Sequence, residues 1–206
     1  MPMQSTVPLA PDQVLRAFIA VDIAPDIRAV LAAEQARLKK LGANVGWVAP
    51  DNIHITLLFL GDLLGAQVAP LAAALDAMAA QHAPFELEVA GLGWFGPPRS
   101  PRVVWAGVID AGERLVSLQK QIEEQARALE LRTEARPFHP HLTLGRVRPG
   151  GHAALPALTR ALEQANDTAY GRCAVGTVRL MQSRPEPAGV RHSLLHEAVL
   201  KGIGHG

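Results

Sequence analysis

Two rhythms of apolar and polar positions run along this chain, and each change of rhythm marks an element. Residues 15–23, LRAFIAVDI, form an apolar run closed by Pro25, which predicts a buried strand. Ile27, Val30, Leu31, Leu38 and Leu41 then recur at helical spacing, with Pro25 in the first turn and Gly42 past the end. Residues 46–62, GWVAPDNIHITLLFLGD, read as a short strand, a turn and a longer strand. An Ala-rich helix is predicted over 65–81, despite Pro70 near its start, and an alternating, half-buried strand over 85–95. The turn cluster GPPRSPR (96–102) leads into a strand, VVWAGVI (103–109). Leu115, Leu118, Ile122 and Leu129 mark the next helix, 135–147 the next strand and 155–166 a further helix. CAVGTVRLMQS (173–183) and RHSLLHEAVL (191–200) read as a closing strand pair around the loop RPEPAG.

Two of these strands break the pattern in the same way. Residues 138–147, FHPHLTLGRV, place His141 and Thr143 two apart in an otherwise apolar run. Strand alternation sends both to one face and Leu142 and Leu144 to the other. Residues 52–61 repeat the spelling: His54 and Thr56 match His141 and Thr143, and Ile55 and Leu57 match Leu142 and Leu144. One such HxT is a histidine tied to a backbone carbonyl. Two, one in each half of the chain, point to a paired site across a cleft.

The halves also agree in outline. Each offers strands, a long amphipathic helix, an HxT strand, a second helix and further strands, a weak internal repeat. The expected fold is therefore α+β with two pseudo-symmetric lobes, each a mainly antiparallel sheet backed by helices, and a groove between them. Residues 1–14 read as a flexible leader, 15–200 as one bilobal domain and 201–206 as a loose tail.

Composition narrows the class. The chain has 206 residues, 49% hydrophobic and 19% charged, enough for a sizeable core and too apolar for a disordered chain. The single cysteine, Cys173, rules out an internal disulfide and reads as a small buried hydrophobe. The opening MPMQSTVPLAPDQ has neither a basic start nor an apolar core, so no signal peptide is expected, and no apolar stretch reaches spanning length. A cytoplasmic protein without membrane contact is the expectation. Net charge is +1, but residues 1–98 carry five Lys/Arg against nine Asp/Glu, and residues 99–206 fifteen against ten. Most of that excess is Arg, which suits either an anion-facing second half or a solvated basic surface.

Paired imidazoles suit proton transfer near neutral pH, one accepting and one donating. Hydroxyls two residues along the same face can donate to the oxygens of an anion. Together they can run an in-line displacement at phosphorus without a metal or cofactor. His139-Pro140-His141 has a metal-like spacing, but no carboxylate cluster accompanies it. His82, His152, His192, His196 and His205 lack matching partners and are expected on surfaces or loops. GLGWFGPP lacks the strand-then-helix context of a dinucleotide site.

With its flanks, the doubled HxT resembles the two-histidine phosphoesterases, and within them the bacterial and archaeal RNA 2′,3′-cyclic phosphodiesterases, also called 2′-5′ RNA ligases. The likeness runs from about Arg16 to Leu200 and includes RAFIAVDI and FELEVAGLGWFGPPRSPRVVWAGV. It implies a groove between two sheets and hydrolysis of 2′,3′-cyclic phosphate on RNA ends or nucleotides to a 2′-phosphate. It also implies His54 as proton donor and His141 as proton acceptor, with Thr56, Thr143 and Arg146 as substrate contacts. Strict alternation puts Arg146 opposite His141, unless the strand ends or bulges near Gly145. Phe18 matches an aromatic of the family's opening strand, where core packing is the plainer role. The closing strand departs from the family: Met181 and His192 stand where relatives often carry Tyr. No cofactor, metal or obligate protein partner is implied, and a monomer is expected. Two other functions share these features: ligation by the reverse reaction, and a nucleotide-binding module without turnover.

Overall fold

The computed structural model describes residues 9–133, 137–150, 152–187 and 189–202. Among the described residues nine strands and four α-helices follow one another as β1 (Val14–Val21), α1 (Pro25–Lys39), β2 (Val45–Trp47), β3 (Ile55–Leu64), α2 (Gly65–Ala79), β4 (Phe85–Phe95), β5 (Val103–Ile109), α3 (Arg114–Ala128), β6 (His141–Val147), α4 (Leu155–Glu163), β7 (Ala169–Val175), β8 (Thr177–Glu186) and β9 (Gly189–Val199). Among the described residues every strand pair is antiparallel. The strand order is β7-β4-β5-β6-β3-β1-β8-β9, with β2 added beside β6. The α+β class and the antiparallel sheet read from the sequence are present.

Leaving β2 aside, the sheet falls into two halves of four strands, joined where β3 meets β6 through the pair Ile55–Leu142. From this junction outward each half begins with an HxT strand, then the strand that precedes it across a helix: β3 then β1, β6 then β5. Helices α2 and α3 pack on the β3 side, while α1 packs on β7 and α4 on β4. Thus α1 and α3, which follow β1 and β5, each cross to the opposite half.

Several boundaries differ from the sequence reading, for physical reasons. Residues 173–183 are not one strand: Val175 ends β7 against β4, and Thr177 begins β8 against β9. The single residue Gly176 joins them, although β7 and β8 stand six places apart in the strand order. One residue spans at most about 7 Å between its neighbours. The sheet must therefore curl until the ends of β7 and β8 come together. The α1 stripe is Ile27, Leu31, Gln35 and Leu38, with Val30 left 43% exposed. Gln35 holds a core position because its amide donates to the carbonyls of Val48 (2.9 Å) and Leu144 (2.8 Å), tying α1 to β6. Ahead of β1, the carbonyls of Gln13 and Pro11 accept the first amide N–H groups of α2, from Gly65 and Ala66. At the other end, Lys201 and Gly202 donate to Ala79 and His82, while residues 203–206 and His205 lie outside the described residues. No described helix is long and apolar enough to cross a membrane.

Candidate active site

His54 stands one residue before β3, and His141 opens β6. The antiparallel pair Ile55–Leu142 lies between them, so the register runs His54 toward Thr143 and Thr56 toward His141. The two HxT segments are thereby crossed about one point, with Ile55 and Leu142 turned into the core and fully buried. The four polar side chains share the other face, which lines the groove.

Each imidazole is oriented by the same local device. His54 Nδ1–H donates to the carbonyl of Asn52 (2.8 Å), and His141 Nδ1–H to the carbonyl of His139 (2.7 Å). A carbonyl can only accept, so Nδ1 carries the proton and Nε2 is the free, basic nitrogen in both neutral rings. His54 Nε2 accepts from the Thr56 hydroxyl at 3.0 Å. The spelling x-x-His, with its carbonyl two residues back, thus fixes the tautomer in both rings, and at His54 the Thr two residues ahead meets the other nitrogen.

The surroundings push the rings toward neutrality. Burial holds His54 at about 4, with His192 and His141 pushing the same way and the Asn52 carbonyl and Asp22 opposing. Burial also lowers His141, and the nearby Arg146 guanidinium and His139 add to it, while the bond to its own carbonyl partner opposes. His54 stacks on Phe18 (centroids 4.8 Å, 23°) and meets the edge of His192 at 5.2 Å. His141 meets Phe95 edge-on at 4.9 Å.

Arg146 joins this face through a bulge. Val104 pairs with Gly145 and Trp105 with Thr143, so Leu144 is an extra residue on β6. It resets the alternation: Leu142, Leu144 and Gly145 are buried, whereas His141, Thr143 and Arg146 point to the groove side. The same slip occurs in β3, where Ala20 pairs with Thr56 and Ile19 with Leu58, leaving Leu57 extra. There it brings Phe59, the counterpart of Arg146, onto the groove face, 47% exposed. Gly145 lets β2 approach: a Cβ there would stand 2.5 Å from Val45 Cγ1.

Three features of the site were not read from the sequence. His192, expected on a surface, belongs to it: β9 places it opposite Ser183, and its ring closes a triangle with Phe18 (4.9 Å) and His54. No motif marks it; only the strand register does. Asn52 donates its amide to the Val190 carbonyl (2.7 Å), pinning the β8–β9 hairpin to the segment that orients His54. Asp22 bonds Arg28 (2.6 Å) and Arg179, and Arg179 bonds Glu197 (2.6 Å), a charge-balanced network beside the His54 end. Phe18 is both core and site, 4% exposed yet stacked on a candidate catalytic ring. Of the other histidines, His82 bonds Gln121 and His196 bonds Asp76, and neither reaches the groove pair. Cys173 is buried and burial raises its thiol, as suits a packing residue. Among the described residues no group of three or more His, Cys, Asp or Glu is placed to hold a metal ion.

An antiparallel sheet with two His–Thr pairs crossed at its junction defines the class: an α+β protein with a doubled HxT site. A family model described as the 2′-5′ RNA ligase superfamily matches residues 23–186. The RNA 2′,3′-cyclic phosphodiesterase of Archaeoglobus fulgidus is 35% identical over 177 residues, covering 85% of this chain and 94% of that protein. The one of Geobacillus stearothermophilus is 35% identical over 149 residues, 72% of this chain; the match spans 47%, about half, of that longer relative. E. coli LigT, solved with 3′-AMP, is 27% identical with a TM-score of 0.70, covering 91% of this chain and 99% of LigT. This chain belongs to the 2′-5′ RNA ligase superfamily.

Proposed function

We propose that the protein is an RNA 2′,3′-cyclic phosphodiesterase that opens the cyclic phosphate of RNA ends or nucleotides by two-histidine acid–base catalysis. The single observation that carries this is the crossing of the two HxT segments, with both Nε2 atoms on one face. The names of the relatives support the substrate class.

In the reaction, a water oxygen attacks phosphorus and gives a proton to the neutral His141 Nε2. The bond from phosphorus to O3′ breaks in line, and protonated His54 gives its Nε2 proton to O3′. The products are a 3′-hydroxyl and a 2′-phosphate, and solvent exchange resets the two rings. Thr56 and Thr143 donate to the non-bridging oxygens and Arg146 balances their charge. In the free protein the Thr56 hydroxyl serves His54 Nε2 instead. An arriving anion exchanges this contact, and its charge raises both imidazoles. The donor is therefore charged on substrate binding rather than before it.

The test is turnover of nucleoside 2′,3′-cyclic phosphates with and without EDTA. Hydrolysis that survives chelation is expected, since imidazoles and hydroxyls supply every step. Loss on chelation with rescue by a divalent ion would replace this mechanism with a metal-dependent one. Binding without turnover would make the protein a nucleotide-binding module, and joining to a 5′-hydroxyl without hydrolysis would make it a ligase.

A further inference from the structure

His192 has no place in the doubled HxT, yet its ring touches the proposed proton donor. Three rings meet at this end of the groove. Phe18 stacks on His54 with centroids 4.8 Å apart, and the His192 ring meets both edge-on, 5.2 Å from His54 and 4.9 Å from Phe18. A face on one side and an edge on another hold the His54 ring in one orientation.

One residue fixes the two histidines relative to each other. The Asn52 carbonyl accepts from His54 Nδ1–H (2.8 Å), and the Asn52 side-chain amide donates to the Val190 carbonyl (2.7 Å), two residues before His192. Among the described residues His192 makes no hydrogen bond of its own, unlike His82 and His196, which bond Gln121 and Asp76. Its ring nitrogens are committed to no structural partner.

Such closeness couples the charges of the two rings. Imidazolium groups about 5 Å apart repel, so the pair resists taking two protons. Burial above all holds His54 at about 4; charge on His192, and on His141 from β6, adds to it, while the Asn52 carbonyl and Asp22 oppose. His192 is lowered by burial alone, so it is charged first as pH falls. The other nearby charges are engaged elsewhere. Asp22, just past β1, bonds Arg28 and Arg179. Strand alternation turns the neighbouring pair Arg184–Arg191 to the other face, where Arg191 meets Glu186 at 3.7 Å.

We propose that His192 is a positioning residue for the proton donor and a brake on it in acid: uncharged, its ring edge holds His54 against Phe18; charged, it keeps His54 from taking the proton that the reaction needs. This rests on the two-histidine reading and sets an acid limit to it.

Proton NMR of the His54 ring in the free protein reads the coupling without any turnover. His54 should titrate at about 4 in the wild-type chain. In His192→Phe, which keeps a ring and removes the charge, it should titrate about one to two pH units higher. Turnover of a nucleoside 2′,3′-cyclic phosphate reads the consequence. Near neutral pH, where His192 is uncharged, His192→Phe should stay within about threefold of wild type in kcat/KM; at about pH 5 it should be roughly fivefold to tenfold faster. His192→Ala, which removes ring and charge together, should also raise the His54 midpoint but lose about tenfold in kcat near neutral pH. An unmoved midpoint in His192→Phe would overturn the brake, and an undiminished kcat in His192→Ala would overturn the positioning. If no chain turns over a cyclic phosphate, the hydrolase reading fails and the NMR still decides. The midpoints then judge the brake. The ring-current shift that Phe18 gives the His54 protons judges the positioning: its loss in His192→Ala supports the role, and its persistence there overturns it.

Discussion

The two histidines differ from ordinary surface imidazoles because a backbone carbonyl holds Nδ1 of each ring and burial disfavours the charged form. Nδ1 is committed to backbone, and Nε2 alone remains for chemistry. Replacing His54 or His141 by Ala should each cost roughly a hundredfold to ten-thousandfold in kcat. The double mutant should lose less than the product of the two, because the pair acts as a unit. Both free rings sit below their ordinary pKa of about 6.5. The singly protonated pair is thus scarce at neutral pH. The pH profile of kcat/KM should be a bell whose descending limb lies below 6.5, while that of kcat lies higher, since bound anion raises both rings. Coincident limbs would remove the proposed coupling of protonation to binding. The same shift bears on stability. His54 binds a proton less readily folded than unfolded, so its contribution is complete above about 6.5 and is lost as pH falls through about 4. Thermal melts should drop across that window by up to roughly 3 kcal/mol, and His54→Asn should flatten the drop. His54, His141, Thr56 and Thr143 were legible because a repeated word in two strands is improbable by chance. His192 was not, because pairing between distant strands places it and no local spacing records it.

Elements position the groups through their irregularities. A regular β6 would turn Arg146 away from His141; the extra residue Leu144 turns it back. A bulge or strand end was recognisable from the sequence as the condition for Arg146, but not that β3 repeats the slip and delivers Phe59. Gly145 belongs to the same device, since β2 pairs Gly46 with Arg146 only where a side chain is missing. Gly145→Ala would press a methyl onto Val45 and Trp47, an overpacking that costs about 1–3 kcal/mol. The expected result is a lower melting temperature together with a raised KM, because the strand carrying Arg146 moves with β2. A loss of stability with KM unchanged would detach Arg146 from substrate binding. The continuous strand expected over 173–183 failed because Val175 and Thr177 look alike in sequence. What separates them is the partner each finds, and pairing is non-local.

At the scale of the molecule, the halves of the sequence are not the halves of the sheet. β3 and β1 share their half with β8 and β9 from the end of the chain, while β4 joins β5, β6 and β7 in the other. Crossing of α1 and α3, and the one-residue step at Gly176, exchange the units. Periodicity gave the elements and their antiparallel character, yet it holds no information on which distant strand is a neighbour. The exchange has a functional result: each HxT strand opens its own half, and the two meet where the sheet curls. The two-histidine mechanism requires both strands to act on one phosphorus atom from opposite sides. Phosphorus NMR of the product from a nucleoside 2′,3′-cyclic phosphate measures this directly. A single 2′-phosphate product is expected from the wild-type chain, and none from either His54→Ala or His141→Ala on the same timescale. A 3′-phosphate product would reverse the donor and acceptor, and undiminished turnover in either mutant would contradict the two-histidine mechanism.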